Sequence, residues 1–406
     1  MACRILGTHH MDLIQFPVTR ASALARLDEF VEQAARSYGA RRNFVDASGS
    51  HTAVSRLSAA LRRRLVSEEE VVRAVLSAHP YATVEKFIAE VFWRTYWKGW
   101  LELHRGLWPQ IQEEILRAKA GLEADPATAA RYRAAIDAKT GIDAFDHWAE
   151  ELNRTGYLHN WARMQVASIW TFTLALPWQL GADWMFSHLL DADPASNTLS
   201  WRWVAGLHTA GKAYLADEQR IANMTGNFLA AKGLARTASI PPLGPRPCRT
   251  ELREAALPDP KAPSLILLTS EDLSLETELG LQDVRGIITA KGLAASQADR
   301  TALTDAASRA SRNWHGAPCE AADLADLATI ARSRGCSQIV TGFAATGPVA
   351  DALHNLQPLL ADQGIAFTEH QRRWDRLAWP FCAKGFFQLK SRIPSLLRDQ
   401  GILADT

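Results

Sequence analysis

The sequence predicts a helical N-terminal part followed by a smaller Rossmann-like α/β part with a parallel sheet, on three observations. Eleven of the 14 tryptophans lie before residue 204, in segments whose apolar residues recur at helical spacing. Seven prolines then interrupt residues 241–263, where they continue neither a helix nor a central strand. Beyond them, short β-type runs alternate with helical stretches, which is typical of a parallel sheet. We therefore predict a helical domain over 1–240, a proline-rich linker over 241–263 and an α/β domain over 264–406.

Local signals place individual elements within this outline. Thr19 is a candidate N-cap for a helix whose apolar face includes Leu27 and Phe30. Asp193 followed by Pro194 predicts a second helix start, because aspartate caps free N–H groups and proline suits the first helical position. The strand candidates are the runs 264–270, 284–290, 337–344 and 364–369.

Composition excludes several classes of protein. With 45 basic and 44 acidic residues in 406, a nucleic-acid partner requires a local basic patch. The five cysteines form no C-x-x-C pair and show no zinc-type spacing with histidine, so we expect neither a metal site nor a disulfide framework, and a reducing cytoplasmic location. No apolar run long enough for a membrane span occurs, so we expect no membrane association.

The stretch LLDADPASNTLSWRWVAG (189–206) crowds acids, an amide and two tryptophans together. A calcium loop starting at Asp191 fails, because Ser196 stands where glycine is expected and Arg202 where glutamate is needed. The following GLHTAGKA (206–213) is not a P-loop, since Ala213 offers no hydroxyl for Mg²⁺. Neither a metal nor a nucleotide-hydrolysis site is predicted here.

Four ordered blocks within about residues 20–230 together resemble the flavin-binding helical domain of the DNA photolyase and cryptochrome family. SYGARRNFVDASGSHTAVSRLSAALRRRLVSEEEV (37–71) is similar to its tyrosine, Arg-Asp/Asn-Phe and Thr-Ser-x-Leu-Ser run, and KFIAEVFWRTYW (86–97) to its Trp-x-x-Glu-x-x-Trp-Arg-x-Phe/Tyr helix. KTGIDAFDHWAEELNRTGYLHNWARMQVASIWTFTLALPW (139–178) is similar to its Lys-Thr-Gly and Thr-Gly-Trp-x-His-Asn-x-x-Arg-Met block, and the 189–206 stretch to its Asp-x-Asp-x-x-x-Asn-x-x-x-Trp-x-Trp block.

The resemblance implies FAD as cofactor and a set of residues that hold it. Hydroxyl and guanidinium groups would replace a glycine loop around the pyrophosphate, an Arg163–Asp191 pair would flank the isoalloxazine ring, and the amide of Asn197 would face flavin N5. The implied FAD-binding residues are Tyr38, Ser55, Arg56, Leu57, Ser58, Arg94, Asn160, Arg163, Asp191, Asp193 and Asn197.

The same resemblance implies a substrate pocket and an electron relay. A pyrimidine dimer flipped out of damaged DNA would stack against aromatic walls and meet polar contacts in a pocket formed by Glu90, Trp93, Asn160, Met164 and Trp203. Trp201 and Trp178 match the first two members of the chain that carries an electron to photoexcited flavin. No tryptophan stands at the usual third position, near residues 122–126, so either Tyr132 or Trp148 substitutes there or photoreduction is weak. Asn197, Glu90, Trp201 and Trp178 are the residues with implied catalytic roles.

The chain departs from the family pattern at several positions. Val54 and Phe87 replace a hydroxyl residue and a tryptophan, and Trp161 replaces an arginine that commonly touches DNA phosphate. Arg41, Arg42 and the run 62–64 are alternative phosphate contacts, although three adjacent arginines on a helix cannot share one face and usually form a solvated surface.

Domain order also departs from the family, because family members begin with the α/β antenna domain and this chain ends with it. The run WDRLAWPFCAKGFFQLKSRIPSLL (374–397) resembles the antenna domain's Thr-Pro-Phe-x-x-Phe-x-Lys segment, which implies a swapped arrangement. The loop TGFAATGP (341–348) is where a ligand would bind at the strand ends, and whether an antenna chromophore occupies it stays open.

Two functions follow from the resemblance, beside the third possibility of a flavin-binding relative that has lost its photochemistry. The first is a deoxyribodipyrimidine photo-lyase, which splits cyclobutane pyrimidine dimers in damaged DNA with an electron from photoexcited reduced FAD. The alternative is a cryptochrome-like blue-light receptor that signals through a protein partner without repair, which Trp161 and the near-neutral charge favour.

Overall fold

A computed structural model describes residues 16–244 and 248–404 of the chain, so residues 1–15 of the predicted helical domain, 245–247 of the predicted linker and 405–406 lie outside it. Within the described residues, every regular element before residue 241 is helical and every strand lies between residues 264 and 370, which confirms the predicted fold class.

The elements of the helical part follow one another with short connections. They are α1 (Arg20–Val31), α2 (Arg36–Arg41), α3 (Ser58–Arg62), α4 (Glu68–Ala78), α5 (Tyr81–Glu102), α6 (Leu107–Ala124), α7 (Pro126–Ile136), α8 (Asp143–Thr155), α9 (Asn160–Ser168), a π-helical turn (Ile169–Thr173), α10 (Trp178–His188), α11 (Pro194–Val204) and α12 (Glu218–Met224).

The C-terminal part alternates strands with helices. Its elements are β1 (Ser264–Leu268), β2 (Val284–Ala290), α13 (Gln297–Asn313), β3 (Cys319–Ala322), α14 (Leu327–Ser333), β4 (Gln338–Gly342), α15 (Pro348–Ala361), β5 (Ala366–His370), α16 (Arg373–Ala378), α17 (Phe386–Lys390) and α18 (Ile393–Asp399).

Both predicted helix starts are present. The Thr19 side chain accepts a hydrogen bond from the backbone N–H of Ser22 in a capping box at the start of α1. Asp193 caps α11 by accepting a hydrogen bond from Ser196 N at 2.8 Å, with Pro194 in the first helical position. These local rules therefore determine where the two helices begin.

The five strands form one parallel sheet in the order β3-β2-β1-β4-β5. Four of them overlap the predicted runs. The prediction missed the edge strand β3, because three of its four residues are exposed and Cys-Glu-Ala-Ala shows no apolar run. The order places the switch point, where neighbouring connections run to opposite faces, between β1 and β4.

The two faces of the sheet belong to different hydrophobic clusters. Leu265 and Leu267 of β1 pack with α14 and α15 in a cluster confined to the α/β part. Ile266 and Leu268, on the opposite face, belong to the cluster that also contains the core of the helical part, for example Trp201. Apolar packing is thus continuous between the two parts, and the exact domain boundaries stay a prediction.

The predicted linker lies on the surface without regular structure in its described residues. Thr250 N donates to Leu103 O at 2.8 Å, and Arg253 forms an ion pair with Glu369 while its guanidinium carbon lies 4.1 Å from the Phe343 ring centroid. The segment is therefore attached to both parts of the chain.

The run Arg62, Arg63 and Arg64 is not the solvated surface that the sequence predicted. All three side chains are buried, because each meets an acidic side chain from the C-terminal part. Arg62 pairs with Glu271 at 2.6 Å, Arg63 with Asp299 at 2.7 Å, and Arg64 with Asp375. The helix α3 ends at Arg62, so the three side chains need not follow helical spacing, and acids distant in sequence compensate the burial of their charges.

The strand ends at the switch point are covered by the helical part. Arg62 donates to Ser270 O at 3.1 Å in the loop after β1. In the loop after β4, Thr346 Oγ1 donates to Glu102 at 2.8 Å, and a Cβ atom on Gly347 would lie 2.9 Å from Pro194. Protein groups therefore fill the place beside residues 341–348 that the sequence analysis considered for a ligand.

The buried arginine run generates a stability prediction. Replacing Arg63 with Met leaves Asp299 without its guanidinium partner in a largely buried position. We expect the free energy of unfolding to fall by about 3 to 5 kcal/mol, as for other broken buried pairs.

Urea denaturation followed by circular dichroism measures this change. The matched control is Arg117→Met, whose ion pair with Glu113 is 67% exposed on both sides and should change stability by less than about 1 kcal/mol. Equal effects of the two substitutions would contradict a structural role for the buried run.

Candidate functional site

A cavity of about 660 Å³ opens between α2, α5, α9, α11 and the segment that precedes α3. Of the residues that the sequence predicted for the site, all but Trp178 line it. They are Tyr38, Ser55, Arg56, Leu57, Ser58, Glu90, Trp93, Arg94, Asn160, Met164, Arg163, Asp191, Asp193, Asn197, Trp201 and Trp203. The fold therefore brings four sequence-distant blocks to one place.

Two ion pairs organise the acidic side of the cavity. Arg163 Nη1 lies 3.2 and 3.1 Å from the two carboxylate oxygens of Asp191, and its Nε donates to Leu158 O at 2.8 Å. Arg94 Nη1 donates to Asp193 Oδ2 at 2.8 Å. The predicted Arg163–Asp191 pair is therefore present, and Arg94, predicted as a pyrophosphate contact, also neutralises Asp193.

Both acids remain ionised at neutral pH. Burial alone would raise their pKa values, but nearby cations outweigh it. Arg163 and Arg94 lower the pKa of Asp191, and Arg94, Lys98 and Arg62 lower that of Asp193 to about 2. The cavity therefore holds two fixed negative charges balanced by guanidinium groups.

Polar and aromatic side chains that follow the capped start of α11 line the cavity. Asn197 and Trp201 follow Asp193 by one and two turns and line the same space, as their spacing predicted. The side-chain amide of Asn197 donates from Nδ2 to Ala182 O at 2.9 Å. Its carbonyl oxygen is left as an acceptor for a ligand.

Several polar atoms of the cavity lining have no hydrogen-bond partner among the described residues. Arg56 Nε, Ser196 Oγ and Trp201 Nε1 are buried and unpaired. A buried donor without an acceptor costs about 1 to 3 kcal/mol. The lining is therefore suited to a ligand that carries several hydrogen-bond acceptors.

The aromatic side of the cavity contains Trp93 and Trp203. Trp93 packs on Trp97 of the same helix, with ring centroids 5.3 Å apart, and Trp203 stacks on Tyr214 at 5.7 Å. Sequence reasoning missed Trp97 and Tyr214, which also line the cavity. Trp97 was within the quoted block, one turn after Trp93, so helical spacing was the available signal.

Glu90, predicted as a lesion contact, forms an ion pair with Arg42, which the sequence analysis had considered for DNA phosphate. Trp161, at the position of the missing arginine, is buried and packs edge-on against Trp148 with ring centroids 6.0 Å apart. The guanidinium of Arg42 is therefore already paired, and the neutral Trp161 supplies no positive charge in place of the arginine.

The buried tryptophans form a connected series behind the cavity. Among the described ring contacts, the tryptophan neighbour of Trp201 is Trp170, with ring centroids 6.0 Å apart. Trp170 in turn meets Trp184 at 5.6 Å and Tyr132 at 5.9 Å. Trp178 is also buried, and the guanidinium carbon of Arg202 lies 5.7 Å from its ring centroid. Trp170 was not among the predicted residues.

This cavity lies in the segment that a known protein family shares. The family model described as the FAD binding domain of DNA photolyase matches residues 87–228, which include most of the cavity lining. Over that segment, which is less than half of the chain, the protein is similar to the DNA photolyase family. FAD is the cofactor of this domain.

Individual proteins are also similar to part of this chain. The chain is 28% identical to the deoxyribodipyrimidine photo-lyase of Escherichia coli over 207 residues, which are 50% of this chain and 42% of that protein. It is 31% identical to the corresponding protein of Thermus thermophilus over 198 residues, 48% of this chain and 44% of that one. The chain thus spans less than half the length of these relatives.

Two solved structures are similar to about half of this chain. A bacterial class III photolyase from Agrobacterium tumefaciens is 24% identical, with a TM-score of 0.44, over 55% of this chain and 47% of that one. A cryptochrome from Synechocystis is 22% identical, with a TM-score of 0.39, over 51% and 43% of the respective chains.

The cavity residues suit FAD chemically. The unpaired donors Arg56 Nε and Trp201 Nε1 match a cofactor that carries phosphate and ring acceptors, and the free acceptor of Asn197 matches a protonated ring nitrogen. Over the described residues, no group of three or more His, Cys, Asp or Glu side chains is arranged for a metal ion. Nor does any helix within 16–244 or 248–404 have the length and hydropathy to cross a membrane.

The charge and the cap of Asp193 can be separated by mutation. Asp193→Asn keeps a capping side chain but removes the closest acidic partner of Arg94 and leaves it only Asp191 at 3.9 Å, so we expect a loss of about 3 kcal/mol in the free energy of unfolding at neutral pH. Asp193→Ala should lose about 1 kcal/mol more, because the cap is also removed.

The pH dependence has a defined sign. Because the folded-state pKa of Asp193 is depressed to about 2 from 3.8, its contribution is present above pH 4 and is lost as pH falls towards 2. The stability difference between the wild type and Asp193→Asn should shrink by about 1 kcal/mol between pH 5 and pH 3. Urea titrations at both pH values measure it, and a pH-independent difference would contradict the assignment.

Proposed function

We propose that this protein is an FAD-dependent, blue-light-driven photolyase that splits cyclobutane pyrimidine dimers in damaged DNA. The supporting observation is the single cavity in which the FAD-type residues and the lesion-pocket residues Glu90, Trp93, Asn160, Met164 and Trp203 all take part. Relatives named deoxyribodipyrimidine photo-lyase support the same activity.

The aromatic lining fits a flipped dimer on energetic grounds. Extracting two bases from a duplex costs a few kcal/mol of stacking and pairing, and this cost is least where the lesion already weakens the stack. Trp93 and Trp203 offer replacement stacking of about 1 to 3 kcal/mol per base. Glu90 and Asn160 add polar contacts that a pyrimidine edge can use.

The chain's own groups would also set the environment of the cofactor. When bound, FAD supplies absorption of blue light and transfer of single electrons. Arg163 and Asp191 form a neutral pair beside it, and Asn197 presents an uncharged amide whose donor end is already occupied by Ala182 O. Because the Asn197 side chain is uncharged, it would place no negative charge next to an electron-rich ring system, where such a charge would be repelled.

A repair assay tests the proposal directly. The purified protein, loaded with FAD and reduced without oxygen, is illuminated with blue light in the presence of an oligonucleotide that carries one cyclobutane thymine dimer. We expect the intact thymines to reappear, as detected by liquid chromatography. Absence of repair, in a preparation that retains FAD and beside a working photolyase control, would refute the activity.

The lesion pocket predicts a specific pattern of binding defects. Trp93→Ala and Trp203→Ala should each weaken the Kd for the dimer-containing duplex about tenfold, because each removes one stacking surface. FAD content, read from flavin absorbance, should stay unchanged.

The matched control for these variants is Trp100→Ala. Trp100 lies on α5 like Trp93 but outside the cavity lining, where it stacks on His104 with ring centroids 4.0 Å apart. If Trp100→Ala weakened damaged-DNA binding as much as Trp93→Ala, the pocket assignment would be wrong.

The electron relay carries a separate prediction. The sequence proposed Trp201 followed by Trp178, whereas the ring contacts of Trp201 favour Trp170 as the next member. The guanidinium of Arg202 near Trp178 disfavours a positive charge on that indole. We therefore expect Trp170→Phe to slow light-driven FAD reduction by an external thiol more than Trp178→Phe does.

Transient absorption after a laser flash, together with steady-state flavin spectra, measures the relay. Trp184→Phe and Tyr132→Phe then show which of these two neighbours of Trp170 is the next member of the relay. A larger effect of Trp178→Phe than of Trp170→Phe would restore the order that the sequence suggested.

A light-receptor function is the second candidate, and one observation favours it. Trp161 is buried where the family commonly has a phosphate-touching arginine, and the arginine run 62–64 is buried as well. Light-dependent binding to a protein partner, with no preference for damaged over undamaged DNA, would support this function in place of repair.

A further inference from the structure

The last part of the chain lies along helix α5, which carries much of the cavity wall. We call residues Trp374–Lys390 the C-terminal strap. At one end, Trp374 Nε1 donates to Thr95 Oγ1 at 2.8 Å and its ring lies 4.6 Å from Phe92. At the other end, Lys390 pairs with Glu85 at 3.1 Å. The strap therefore follows α5 for several turns.

The middle of the strap is closely packed on the helix. A Cβ atom on Gly99 would lie 2.6 Å from Cδ1 of Trp379 and 2.8 Å from Sγ of Cys382, so only glycine allows this approach. Tyr96 OH donates to Lys384 O at 2.8 Å, which fixes the strap two residues before the start of α17. These contacts determine where the two phenylalanines of α17 lie.

Phe386 stacks on Trp93. The two rings are 3.8 Å apart with an interplanar angle of 13°, and Phe386 is buried. Since Trp93 also lines the cavity, one face of its indole is covered by the strap, and the remaining surface is available to a ligand. The strap thus forms the outer support of the aromatic wall.

Phe387, the next residue, has the opposite environment. It is 79% exposed, the largest exposure among the large apolar side chains of the described residues. Consecutive helical residues point about 100° apart, so a Phe386 directed at Trp93 leaves Phe387 directed outwards beside it. Lys384 is exposed in the same strap, three residues before Phe387, which adds a cation to this surface.

We propose that the C-terminal strap is a DNA-contacting element, in which Phe387 stacks on a base beside the flipped lesion and Lys384 contacts a backbone phosphate. The inference rests on the proposed function, since it requires a damaged duplex at the cavity. Flipping a dimer leaves a gap in the stack, and apolar side chains that enter such gaps recover part of the lost stacking.

The occupant is DNA because the strap is joined to the candidate lesion pocket through the stack of Phe386 on Trp93 and because the exposed Lys384 carries positive charge. Phe387 is one residue from the support of Trp93, and neither Arg62–Arg64 nor Trp161 is exposed to contact phosphate. An exposed aromatic ring beside a lysine suits unpaired bases followed by a charged backbone.

The test uses the full chain loaded with FAD and measures Kd by fluorescence anisotropy. The probes are one duplex with a single cyclobutane thymine dimer and the same duplex undamaged. Phe387→Ser should weaken binding to the damaged duplex about tenfold, with binding to the undamaged duplex and FAD content unchanged. The separate variant Phe387→Tyr should keep wild-type affinity, because tyrosine retains the aromatic ring.

Two further variants separate the contributions. Leu359→Ser, at a 55% exposed apolar residue on α15, is the matched control and should leave both affinities unchanged. Lys384→Ala should weaken both duplexes alike and reduce the slope of log Kd against log salt by about 1.

A direct readout of stacking uses 2-aminopurine placed beside the lesion, in the position of the base that Phe387 would contact. Stacking on Phe387 should keep its fluorescence lower in the wild-type complex than in the Phe387→Ser complex. Equal fluorescence, or damaged-duplex affinity of Phe387→Ser equal to that of Leu359→Ser, overturns the inference while the repair activity stands. A wild type that does not prefer the damaged duplex overturns both.

Discussion

The buried run Arg62, Arg63 and Arg64 is the interaction on which the rest of the structure depends. Its guanidinium groups meet acids of the α/β part, and they also hold the loop that leads into the cavity, because Arg63 donates to Leu190 O at 2.7 Å and Arg62 to Ala192 O at 3.4 Å. That loop carries Asp191 and Asp193. The same buried arginines therefore attach the α/β part and hold the loop that carries the cavity acids. These charges are costly to leave unpaired.

The cavity shows the consequence of this arrangement. Asp191 and Asp193 are held by Arg163 and Arg94, so their charges are satisfied within the protein, while Arg56 Nε and Trp201 Nε1 remain as unpaired donors. A pocket with balanced charge and spare donors binds a polar, acceptor-rich cofactor through hydrogen bonds rather than through net charge. The α/β part contributes by packing against the helices and, through the C-terminal strap, by supporting Trp93.

Local rules account for the parts of the fold and site that the sequence predicted well. The Asp193-Pro194 start of α11 follows from capping chemistry, and the helical spacing from it puts Asn197 and Trp201 on one face of the helix, which packing then turns to the cavity. Alternation of apolar runs located four of the five strands, whereas β3 escaped because an exposed edge strand needs no apolar pattern. The four blocks of similarity located the cavity lining, because the helices and loops that they span meet around one cavity in the fold.

The sequence by itself determined the fold class and the helix starts, because these depend on apolar patterns and capping within single segments, and its resemblance to a known family implied the set of residues around the cavity. Only the tertiary structure decided the burial of Arg62–Arg64, the pairing of Glu90 with Arg42, the neighbour of Trp201 and the stack of Phe386 on Trp93. In each of these cases the energy of a side chain depends on a partner far along the chain. A buried charge or ring contact is defined by where that partner lies, which no local pattern records.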